Sequence, residues 1–89
     1  MVSVLIVEDD LLIADLLQEA LEANDYQVTG IARTVHESVR LAEQHRPDAA
    51  VIDIRLANGD LGTTVAAHLR DTTKTKFCFR QATAITRRL

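Results

Sequence analysis

The chain has 89 residues, a formal net charge of −3, 47% hydrophobic and 26% charged residues. That is the profile of one small folded domain, and it excludes both a disordered chain and an electrostatic grip on nucleic acid, which needs a surplus of Lys and Arg on one face. The single cysteine, Cys78, excludes an internal disulfide, and the start MVSVLIVEDD lacks the basic region and cleavage site of a secretory signal. No apolar run approaches the ~20 residues of a membrane span. A cytoplasmic protein with neither a nucleic-acid nor a membrane partner is therefore expected.

Ser3 to Val7 is a short, β-branched, apolar run that stops at three acids, the pattern of a parallel strand buried on both faces. From Leu11 the residues Leu12, Ile13, Leu16, Leu17, Ala20 and Leu21 recur at helical spacing and predict an amphipathic helix ending near Asn24. Tyr26 to Ala32 reads as a second strand. Thr34 and Glu37 have the spacing of a capping box, opening a helix that runs through about His45 and cannot pass Pro47.

Ala49 to Ile54 is a third strand, apolar apart from Asp53 near its carboxyl end. Asn58-Gly59 makes a turn, and Leu61, Val65 and Leu69 give the next helix its buried stripe. Phe77 to Phe79 begins a fourth strand, with both rings on one face and in the core, but Arg80 and Gln81 break its apolar pattern. After Asp71 there are no acids, while Lys74, Lys76, Arg80, Arg87 and Arg88 are basic, which reads as a solvated terminus. Strand and helix alternate three times, so the expected architecture is a doubly wound parallel α/β sheet.

Ligands of open α/β sheets collect at the carboxyl ends of the strands, and both acidic features fall there. Glu8, Asp9 and Asp10 close the first strand and Asp53 the third, and a common strand order makes these neighbours. Carboxylates sharing one pocket repel unless a cation neutralises them, and hard oxygens suit Mg²⁺ or Mn²⁺. Asp10 is the acid expected to cap the first helix instead. His36, His45 and His68 have no ligand spacing and are expected at the surface.

VLIVEDD followed by a helix, with AAVIDIRL some forty residues later, resembles a response regulator receiver domain. The resemblance covers residues 1–79 and leaves 80–89 as an atypical tail. It implies a flavodoxin-like sheet in the order 2-1-3-4, lacking a fifth strand and the last helices. By the same resemblance Asp53 is the phosphoacceptor, Asp9 a direct Mg²⁺ ligand beside Asp53, Glu8 an acid acting mainly through water, and the carbonyl of Arg55 a backbone ligand. The implied partner is a histidine kinase or a histidine phosphotransfer protein, and the domain is its substrate, not an enzyme.

The family's switch hydroxyl corresponds to Thr83 before Ala84 in one register of the fourth strand; the other puts Gln81 there. The family's fifth-strand lysine has no counterpart. Lys74 and Lys76 precede the fourth strand and belong roughly 15 Å away at the other edge of the sheet, which leaves Arg55 as the nearest basic candidate. An exposed fourth strand carrying Phe77, Cys78 and Phe79 predicts a homodimer through that strand and residues 81–89. The competing reading is a degenerate or truncated receiver that acts as a phosphorylation-independent interaction or dimerisation module. A phosphohydrolase of the haloacid-dehalogenase type would want a second Asp two residues after Asp53, where this chain has Arg55.

Overall fold

The computed structural model describes residues 1–73 and 75–80. Its elements are β1 (Ser3–Val7), α1 (Leu11–Ala23), β2 (Gln27–Ala32), α2 (Val35–His45), β3 (Ala49–Asp53), a 3-10 turn (Ala57–Gly59), α3 (Gly62–Thr72) and β4 (Lys76–Arg80). The strands form one parallel sheet in the order β2-β1-β3-β4, the expected receiver-type winding.

Alternation of side chains along each strand divides the sheet into two faces. Leu5, Val7, Ala50 and Ile52 point to the face covered by α2 and α3, where Ala42, Val65, Ala66 and Leu69 complete the core. Val4 and Ile6, of the opposite parity, are buried on the face of α1. The helix ends follow local chemistry. Asp10 caps α1 by accepting from the backbone N–H groups of Leu12 and Ile13 at 3.0 and 3.3 Å, and Arg46 ends α2 in the left-handed conformation just before Pro47. Thr34 accepts from the Glu37 N–H at 3.1 Å. The returning Glu37 carboxylate accepts from Arg33 N–H at 2.9 Å, one residue earlier than a standard box.

Three apolar expectations are corrected. Leu61 precedes α3 as its N-cap and is exposed, so Val65, Ala66 and Leu69 form the buried stripe. Leu12 and Leu16 of α1 are exposed, and Ala14 alone in that helix is fully buried. Phe77 and Phe79 do share a face, with ring centroids 5.7 Å apart edge-to-face. They are nonetheless 37% and 44% exposed and not core, because among the described residues β4 is an edge strand.

Candidate functional site

The strand register brings the acids together. Val7 pairs with Ile52, so the residues that follow it, Glu8 and Asp9, arrive beside Asp53 at the carboxyl end of β3. One carboxylate oxygen from each of Glu8, Asp9 and Asp53 lies within 4.8 Å of the others. Three hard oxygens at that separation fit a small divalent cation, which would offset their mutual repulsion. Among the described residues no donor meets the side chains of Asp9 or Asp53, which are both half-buried. Asp10, by contrast, is committed to its helix cap.

Glu8 differs from the other two. It is 1% exposed, its Oε2 accepts from Asp10 N–H at 3.2 Å, and its Oε1 accepts from Nη2 of Arg80 in an ion pair. Arg80 ends β4 in register with Asp53. Among the described residues Arg80 therefore supplies a basic group to this cluster, while Arg55 is exposed on the loop, bridging to Leu61. The signal was present in the sequence: a charge that spoils an apolar strand at its carboxyl end stands where ligands collect.

Gly62 is a second residue that sequence reasoning left without a role. A side chain there would put its Cβ 2.0 Å from the Asp53 carbonyl oxygen and 2.8 Å from Cγ2 of Ile52. Its N–H donates to Ile54 O at 2.6 Å, so the start of α3 lies directly against the backbone that carries Asp53. The loop between them is closed by Leu56 N–H donating to Asp60 O at 2.9 Å. Asp60 in turn accepts from Val35 N–H at 2.9 Å, tying the loop to the start of α2.

Of the remaining sequence candidates, Lys76 starts β4 opposite Ala49, at the far end of the sheet. His36, His45 and His68 are exposed and outside the acidic cluster. Thr83, Gln81 and Lys74 lie outside the described residues.

Comparison with known proteins points to one family. The response regulator receiver domain family matches residues 4–83. The phyllosphere-induced regulator PhyR of Methylorubrum extorquens is 43% identical over 60 residues, 66% of this chain and 22% of that protein. The transcriptional regulatory protein PdtaR of Mycobacterium tuberculosis is 40% identical over 57 residues, 64% of this chain and 28% of that protein. A co-crystal structure of the anti-anti-sigma factor PhyR with the anti-sigma factor NepR from Bartonella quintana superposes with a TM-score of 0.81 at 32% identity, covering 86% of this chain and 32% of that one. The chain thus spans about a quarter of the length of these curated relatives. With residues 4–83 matched by the family and the sheet wound in the order β2-β1-β3-β4, this chain belongs to the response regulator receiver family.

Proposed function

We propose that the domain is the phosphoacceptor of a phosphorelay and that Asp53 receives the phosphoryl group. The observation that carries this reading is the placement of Asp53: half-buried at a strand end, its carboxylate without a donor among the described residues and within 4.8 Å of two further acids. A carboxylate oxygen of Asp53 attacks the phosphorus of a phosphohistidine in line. The P–N bond breaks, the imidazole leaves, and an acyl phosphate forms. Asp9 and Asp53 would hold Mg²⁺, with Glu8 beside them and the Arg55 carbonyl as the backbone ligand that the receiver resemblance implies. When bound, the ion neutralises charge on the transferring oxygens.

The donor is a histidine kinase or a phosphotransfer protein, which brings the reactive bond, so the domain serves as a substrate in the cytoplasm and not as a turnover enzyme. The likeness to PhyR makes an anti-sigma factor the first downstream partner to test. The intact acidic cluster favours this reading over a phosphorylation-independent interaction module, which would leave the cluster without a use. The test is intact mass after incubation with Mg²⁺ and a small-molecule phosphodonor. Wild type gains one hydroxylamine-labile phosphoryl group and Asp53→Asn gains none; a label surviving in Asp53→Asn defeats the assignment.

Self-association is a second property we read from β4. Its exposed Phe77, Cys78 and Phe79 lie on an edge strand among the described residues, and such edges pair readily. Sedimentation at micromolar concentration should give a homodimer; a clean monomer at all concentrations would exclude it.

A further inference from the structure

Arg80 presents a cation where a metal is also expected. Being the last residue of β4 and paired in register with Asp53, it sends its side chain to Glu8, one of the three acids clustered at this strand end. Its side chain is 12% exposed and that of Glu8 is 1% exposed, so the pair is largely out of water. Nη2 donates to Glu8 Oε1, whereas Nε, also buried, meets no acceptor among the described residues. Among the described residues the guanidinium is thus held by charge without a complete set of hydrogen bonds, and a buried cation so incompletely satisfied is open to displacement.

We propose that Arg80 is a tethered competitor of the divalent ion. Its guanidinium neutralises Glu8 in the metal-free domain, and Mg²⁺ enters as it withdraws. This inference rests on the metal-site reading above. The electrostatics fix the sign: Glu8, Asp9 and Asp53 carry three negative charges, and Arg80 cancels one of them at close range. Replacing Arg80 by a neutral residue therefore strengthens Mg²⁺ binding, the reverse of what loss of a supporting contact would do. In the same variant Glu8 becomes a buried, unpaired charge, so the metal-free fold weakens and Mg²⁺ restores it.

The experiment is Mg²⁺ titration of the full chain by calorimetry, with melting curves at zero and saturating Mg²⁺, for wild type, Arg80→Ala, Arg80→Gln and Arg80→Lys. Both neutral variants should bind Mg²⁺ about tenfold more tightly than wild type, melt lower without the ion and gain more from it. Arg80→Lys, which keeps the charge, should stay close to wild type. Equal or weaker binding by the neutral variants, with wild type binding normally, overturns the role of Arg80 and leaves the metal site standing. Absence of binding in every protein overturns the metal site and this inference together. Neutral variants that stay unfolded even in saturating Mg²⁺ also overturn it, because the ion should replace the lost charge.

Discussion

Asp48 precedes β3 and Asp53 ends it, five residues apart in the chain, yet their carboxylates have opposite surroundings. Asp48, before β3, accepts from Ser3 N–H at 2.9 Å and from Ser3 Oγ–H at 3.1 Å, and its own N–H reaches Ser3 Oγ at 3.0 Å. These Ser3 donors, the backbone one foremost, hold the Asp48 carboxyl below the usual carboxylate range. Nearby, Thr75 donates to Pro47 O at 3.0 Å and accepts from the Thr73 hydroxyl at 3.0 Å. Asp53, at the other end, has acids for neighbours and no donor among the described residues. At the amino end the acid serves as a structural clamp. At the carboxyl end its oxygens meet no donor among the described residues, at the edge where parallel sheets place their sites.

The largest effect on stability should come from Gly62→Ala. Its Cβ would collide with the Asp53 carbonyl, and the forced backbone shift should cost about 1–3 kcal/mol in denaturant unfolding while slowing phosphoryl uptake. Gly59→Ala is the control. Gly59 has φ +75° and open space around its Cβ position, so it should cost about 1 kcal/mol through strain and leave uptake unchanged. Equal loss of uptake in both would break the special status of Gly62.

Thr75→Val removes a buried hydroxyl linking Pro47 O and Thr73. It should cost about 1–2 kcal/mol and leave phosphorylation intact, since Thr75 lies at the end of the sheet opposite the acidic cluster. Asp53→Asn should do the reverse, abolishing uptake while melting no lower than wild type, because it relieves repulsion in the acidic cluster. A lower melting temperature would mean that Asp53 also serves as a clamp.

The smallest effect belongs to Asp48→Asn, and it has a pH signature. A carboxyl whose folded pKa lies below its unfolded value stabilises fully above the unfolded pKa, and that contribution disappears as pH falls through the folded pKa. The melting difference between wild type and Asp48→Asn should therefore be present at neutral pH and vanish in strong acid. A difference that grew on acidification would reverse the assignment.

The contrast between the two ends also marks what the sequence could reveal. Unbroken apolar runs made β1 and β3 readable, and a side chain three residues from its backbone partner made the Thr34 cap readable, because both are local signals. The acidic cluster was legible too, since its members stand at strand ends whose order the alternating pattern implies. Arg80 against Glu8 required the β3–β4 register, set across a long separation in the chain. The exposure of Phe77, Phe79, Leu12 and Leu16 depends on what packs over each face, which periodicity alone does not encode. The need for glycine at 62 comes from a close approach to the Asp53 backbone that no neighbouring residue announces.

Because Asp48 and Asp53 lie between Arg46 and Arg55, with Pro47 blocking cleavage after Arg46, one tryptic peptide contains both acids. Fragmentation of that peptide after treatment with a small phosphodonor, with and without Mg²⁺, tests the central claim most directly. A phosphoryl group should appear on Asp53 alone and only when Mg²⁺ is present. A label on Asp48, or one on Asp53 that forms equally well without the metal, would contradict it.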